Sequence, residues 1–343
     1  MAILKVDTIS GIGTDQGTVF EGDITFDSLN YMTLPKGTTT QSNRGRGLYA
    51  GGASAHGSDY TDIVYLNIQS TGNTIQFGDL TTAPRTWIQG MGSATRAIWA
   101  GGSTSQGSPY TNAIEYVTIA STGNAADFGD ALAATGWTGS HSNSTRGLTA
   151  GGGPGAINTI GYITIATTGN ATDFGDLTVR RRGVGRMGSP TRAIFAGGYG
   201  VPANAVVDVM DYVEIATTGN ATDFGNLVAA GRHDSCGCSS GTRGIIAGGQ
   251  APGGVNTIQY VTIASTGNAA DFGDLPIVQA APGSLDNSIR GVFTGSYTNP
   301  SSINTMTYIT IASTGNGSDF GDYAQSARYA QGGTSDSHGG LSE

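Results

Sequence analysis

Six nearly identical stretches follow one another along this chain, and their spacing restricts the fold more than any other feature. One copy reads Thr191-Arg-Ala-Ile-Phe-Ala-Gly-Gly198, then Met210-Asp-Tyr-Val-Glu-Ile-Ala-Thr-Thr-Gly-Asn220, then Ala221-Thr-Asp-Phe-Gly-Asn226. Its phenylalanine recurs as Phe77, Phe128, Phe174, Phe224, Phe272 and Phe320, in steps of 51, 46, 50, 48 and 48 residues. A period of about 40 to 50 residues with strand patterning is that of propeller blades.

Each unit opens on a short strand beginning near Arg46, Arg96, Arg146, Arg192, Arg243 or Arg290. Successive side chains of a strand point to opposite faces, yet neighbours such as Ile98 and Trp99 are both large and apolar. Both faces are therefore expected to be buried, as in a sheet held between two others. The strand ends on Gly-Gly, as at Gly101-Gly102, and a loop of variable length follows. A second strand carries Tyr65, Tyr116, Tyr162, Tyr212, Tyr260 or Tyr308 and ends at Thr-Gly-Asn, as at Gly123 and Asn124. Gly and Asn accept positive φ, so a tight hairpin turn is expected there. The chain returns through Phe128-Gly-Asp130 and its copies. A Gly- and Ser-rich segment, for example Trp87-Ile-Gln-Gly-Met-Gly92, completes the unit as the innermost strand, where blades converge.

The chain is thus expected to be all-β: a six-bladed propeller of four-stranded antiparallel blades over residues 41–343, after a short N-terminal β segment over residues 1–40. The first unit lacks an inner segment just upstream of Arg46, whereas Ala327-Arg-Tyr-Ala-Gln-Gly-Gly-Thr-Ser-Asp-Ser337 is left over after the last. That C-terminal piece is expected to close the ring; Thr38 to Ser42 is the alternative source. Residues 1–40 alternate apolar and polar residues, but two or three short strands are marginal alone and require a partner.

Composition removes several classes. Gly supplies 57 of 343 residues without a collagen period, and formal net charge is −9 with no basic cluster beyond Arg180-Arg181-Arg182. Nucleic acid is therefore not an expected partner. No apolar run approaches the length of a membrane span and no signal-peptide pattern opens the chain, so no membrane insertion is expected. With only Cys236 and Cys238 present, there is no disulfide framework.

Catalytic and metal constellations are weak. His56, His141, His233 and His338 fall in different units without a repeated acidic or nucleophilic partner. Calcium needs six to eight converging oxygens, whereas alternation points Asp173 and Asp176 of one Asn-x-x-Asp-Phe-Gly-Asp stretch to opposite faces. Here Asn caps the turn, and the acidic residues pair with amides or with arginines, as Asp130 facing Arg96 would. No cofactor, no metal and no enzymatic activity are expected. Binding is expected instead in the variable loops, where Tyr60, Tyr110 and Tyr199 supply aromatic faces suited to sugars or protein.

The order of a small inner strand, a strand ending Gly-Gly, a strand with Tyr and one with an aromatic resembles the kelch repeat across residues 46–337. The doublets at Gly51, Gly101, Gly151, Gly197 and Gly248 carry it, while the sixth copy departs as Gly295-Ser296 and Phe replaces the usual Trp. The wording Ala-Ser-Thr-Gly-Asn-Ala-Ala-Asp-Phe-Gly-Asp resembles repeat-bearing virion proteins of marine tailed bacteriophages. Leu4-Lys-Val-Asp-Thr-Ile-Ser with Leu34-Pro-Lys-Gly resembles fibre attachment segments. The resemblance implies a virion appendage made in a bacterial cytoplasm. It would be docked to other virion proteins through residues 1–40, be present as a homotrimer, and display the propeller to a host-surface glycan or protein. A capsid or tail decoration protein is the alternative. A polysaccharide-active enzyme or a copper oxidase using His233 and Cys236 is the remote one.

Overall fold

The computed structural model describes residues 45–337, apart from residues 56, 106, 229–230 and 299–300. The proposed docking segment 1–40, the alternative closing residues Thr38 to Ser42, His56 and His338 lie outside the described residues.

Six four-stranded antiparallel blades form a propeller. Blade two is representative: Gln89–Gly92 innermost, then Arg96–Ala100, Ala113–Thr118 and Ala126–Asp130 outermost. Blade one begins with the C-terminal strand Gly332–Ser335, which pairs antiparallel with Arg46–Ala50 through Gly47↔Ser335 and Ala50↔Gly332. That strand, the last among the described residues, therefore belongs to the first blade and closes the ring, as the leftover C-terminal unit predicts.

The Arg-to-Gly-Gly strands are buried on both faces because each blade presses on two neighbours. Leu48, Ile63 and Phe77 of blade one cluster with Ala97, Trp99 and Val117 of blade two. Equivalent clusters fill the interfaces of blades two and three, three and four, four and five, five and six, and six and one. The core is thus six layers between blades. The first glycine of each doublet must be glycine: Gly101 has φ 64°, and a Cβ there would lie 2.4 Å from the carbonyl oxygen of Thr135. Gly295 of the divergent sixth copy keeps the conformation, with φ 72°.

Two expectations are corrected. The Thr-Gly-Asn segments are not tight hairpin turns, since residues 119–125 separate the strands in blade two. Their polar groups instead bond the preceding blade: Gly123 N–H donates to Phe77 C=O at 2.9 Å, and Ala125 N–H to Asp79 C=O at 2.8 Å. Asn124 returns an acceptor to Asp79 N–H at 3.1 Å, so Asn staples two blades rather than capping its own turn.

Arg96 also does not face Asp130. Its guanidinium stacks 4.8 Å above the Tyr116 ring and donates to the Ile165 carbonyl of blade three at 2.8 Å. Tyr116 in turn meets Phe128 edge-on with centroids 5.8 Å apart. The arginine is long enough to cross to the next blade, where a carbonyl left open at the strand end needs a donor. This arrangement, with an arginine over Tyr and reaching the next blade, recurs from Arg46 through Arg290.

Candidate functional site

The Gly-Gly loops and the connections between blades share one face, because each connection pairs with a loop: Thr86 with Ser103, Gly136 with Gly153, Arg182 with Tyr199, His233 with Gln250, Ala280 with Tyr297 and Tyr329 with Ala53. The Thr-Gly-Asn segments lie at the other strand ends. Variation along the sequence is therefore gathered on one side of the disc.

At the centre of that side the six connections meet in a ring. Trp87, Trp137, Gly183, Asp234, Ala281 and Ala330 each precede an inner strand and adopt φ of 56°, 58°, 66°, 53°, 53° and 59°. Each N–H donates to the carbonyl of the preceding member. Trp87 bonds Ala330 at 3.0 Å, Trp137 bonds Trp87 at 3.2 Å, Gly183 bonds Trp137 at 2.7 Å and Asp234 bonds Gly183 at 2.9 Å; Ala281 and Ala330 complete the circuit at 3.1 and 2.9 Å. Left-handed backbone is unfavourable for residues with a Cβ and persists where the surroundings determine it; here the closed circuit of hydrogen bonds does so.

Side chains from the ring form the wall of an axial cup of about 310 Å³, counting the space open to solvent, lined by Trp87, Gln89, Trp137, Thr138, Asp234 and Gln331 among others. The two indoles lie 5.0 Å apart. Aromatic contacts continue outward, from Trp87 to Tyr329 at 5.8 Å, from Tyr329 to Tyr297 at 5.1 Å and from Trp137 to Tyr110 at 5.5 Å. Arg182 bridges this arc to blade four, 5.5 Å from the Trp137 centroid and 5.4 Å from that of Tyr199. Tyr199 meets His233 at 5.9 Å, and the Nδ1 of His233 is 3.0 Å from the Asp234 carboxylate. Gln250 donates to the same carboxylate oxygen at 3.4 Å.

Of the aromatics read from the loops, Tyr110 and Tyr199 join this belt, half-buried rather than fully exposed. Tyr60 is held 3.9 Å beneath Arg328, a buried side chain that also bonds Asp62. Trp87, Trp137, Tyr297, Tyr329, Arg182 and Asp234 were not singled out by sequence reasoning. The signal for them was positional: Trp87 and Trp137 are bulky residues at a repeat position that elsewhere holds Gly, Asp or Ala. The repeat residues Arg96, Gly101, Gly102, Tyr116, Gly123, Phe128 and Asp130 lie in the scaffold and not in the cup.

Below the cup the axis is occupied by side chains. Arg186 of blade four donates to Ser284 C=O of blade six at 3.2 Å and to Gly333 C=O of blade one at 2.8 Å. Ser140, Ser284 and Ser335 hydroxyls donate to inner-strand carbonyls of neighbouring blades, which explains the serine enrichment there. Asp286 accepts from Ser239 N–H. Burial pushes its carboxyl up to about 7 against the opposing pull of Arg186.

His233 and Cys236 have different partners, His233 bonding Asp234. The Cys236 thiol points at the Ala247 carbonyl, 3.7 Å away, and burial pushes its pKa up to about 12. His141 is buried with Nε2 3.2 Å from Ser189 C=O. Among the described residues no three His, Cys, Asp or Glu side chains converge as metal ligands. Compared with known proteins, the sequence matches no protein-family model and no curated protein.

Proposed function

We propose that this chain is a bacteriophage virion structural protein, a fibre or appendage docked through residues 1–40, whose propeller acts as a recognition module for the host surface. The observation that carries the recognition part is the concentration of variable loops, half-exposed aromatics and the axial cup on one face. The remainder of each blade repeats one scaffold of Arg, Tyr, Phe and Gly. Binding groups mounted on a rigid ring keep their geometry without ordering on contact, which favours recognition.

Binding of the purified full chain to host cells and to their extracted surface polysaccharide tests this reading, together with antibody labelling of particles. Saturable binding and labelling at an exposed tip are the expected results. Particles that lack the protein, attach normally and fall apart would favour the decoration role instead.

A further inference from the structure

The loop face contains a site whose chemistry narrows its ligand. Several ligand classes fit an aromatic cup in principle, and the local groups separate them. Backbone N–H groups arranged around left-handed residues make good anion nests when they are free. In this ring all six are consumed by the circuit of hydrogen bonds, so phosphate or sulfate finds no cradle of amides. A quaternary ammonium would seek the indole faces. Arg182, however, already lies over Trp137, and a second cation beside it would be repelled. An extended peptide would need a free strand edge, and the inner strands lie side by side around the axis, with carbonyls already taken by serine hydroxyls of the adjacent blade.

What remains is a neutral ring with one apolar face and a hydroxylated edge. Trp87 and Trp137 offer stacking surface, while Asp234 and Gln89 at the same cup offer an acceptor and an amide. The indoles, 5.0 Å apart and tilted by 38°, touch each other and so form one continuous apolar wall against which a flat ring can rest. We infer that the axial cup binds a single neutral pyranose residue, reached end-on as the terminus of a glycan, with the ring stacked on Trp87 and Trp137 and its hydroxyls bonded to Asp234 and Gln89. Arg182 is a positioning residue, fixing the Trp137 plane from above. The inference deepens the recognition reading of this face and rests on it.

Tryptophan fluorescence reports the cup selectively. The remaining indole, Trp99, is fully buried in the layer between blades one and two, donates to Gly332 C=O at 3.0 Å and does not line the cup. The full chain is titrated with a panel of methyl hexopyranosides, with choline, with inorganic phosphate and with host polysaccharide. A saturable change with at least one pyranoside, weakened about tenfold or more in Asp234→Asn and in Trp137→Ala, is the expected result. Asn accepts the left-handed backbone, so Asp234→Asn keeps the ring folded even if Trp137→Ala does not. Arg182→Met is expected to weaken sugar binding while shifting the unliganded emission, a change that loss of a mere surface charge would not produce. No response to any pyranoside, a response only to choline or phosphate, or pyranoside binding unchanged in Asp234→Asn overturns the inference. Host-cell binding that survives in Asp234→Asn contradicts the cup but not the recognition module; absence of host binding with intact sugar binding contradicts the module but not the cup.

Discussion

The side-chain oxygen of Asn124 accepts the N–H of Asp79 across the gap between blades two and one, at 3.1 Å. The same bond joins every adjacent pair, from Asn73 with Asp322 through Asn316 with Asp274. It forces the chains so close that a Cβ on Gly78 would lie 2.0 Å from the Gly123 carbonyl oxygen. This close approach is why glycine follows each repeat phenylalanine. Gly78→Ala is predicted to destabilise the protein by about 3 kcal/mol, since the obstructing atom is backbone and cannot turn aside. Gly241→Ala, which meets nothing within 4 Å, should change stability by less than about 0.5 kcal/mol. Denaturant melts of both variants check the contrast.

Arg96 and Asp130 separate the observed bonding from the pairing expected of them. Arg96→Ala removes a stacked cation and a carbonyl bond to the next blade and should lose about 1 to 2 kcal/mol. Asp130→Ala should be within about 0.5 kcal/mol of the parent protein, because its exposed side chain plays no part in the staple. Comparable losses in the two variants would restore the Arg–Asp pairing.

Glu115 pairs with the fully buried Arg85. Burial alone opposes its ionised form, yet Arg85 and donors from Thr81 and Thr82 outweigh that and hold the carboxyl below its usual range. Glu115→Ala leaves a buried guanidinium without its counter-charge and is predicted to lose about 3 to 5 kcal/mol. Glu115→Gln should lose less. In blade five the equivalent Gln259 holds the connection through Val228 N–H and C=O at 2.9 Å each, without an acid. Thermal unfolding of the pair gives the order directly.

Asp286 supplies a pH dependence. In the unfolded chain its carboxyl loses a proton near pH ~4. In the folded protein it keeps the proton until about pH 7. Between those values the folded state binds more protons, so stability falls as pH rises and is level again above the folded value. The full difference is on the order of 4 kcal/mol. Asp286→Asn should flatten this segment of the profile, raising the melting temperature above the folded value relative to the parent and leaving it nearly unchanged below the unfolded one. An unaltered slope would contradict the assignment.

The architecture was legible because a strand repeat needs only pattern. Six copies of the phenylalanine, the doublets and the leftover C-terminal unit determine blade number and closure. The pairing of Asn and Arg was not legible, because both act between blades, and a repeat read along one chain does not reveal which neighbour each copy touches. Thr-Gly-Asn looked like a turn for that reason. The cup was missed because its residues are the ones that do not repeat. Trp87, Trp137 and Asp234 acquire a common meaning only when six connections converge on one axis. Tyr110 and Tyr199 were visible as loop aromatics, but their link through Trp137 and Arg182 was not.

The central claim is that recognition resides in the axial cup of the loop face and the repeat is scaffold. Attachment of labelled full chain to host cells, compared between Trp137→Ala on the loop face and Asp130→Ala in the scaffold, tests it most directly, with folding of both verified by their melts. The account predicts attachment lost in the first and retained in the second. Equal attachment of both variants, or none by the parent protein, would contradict it.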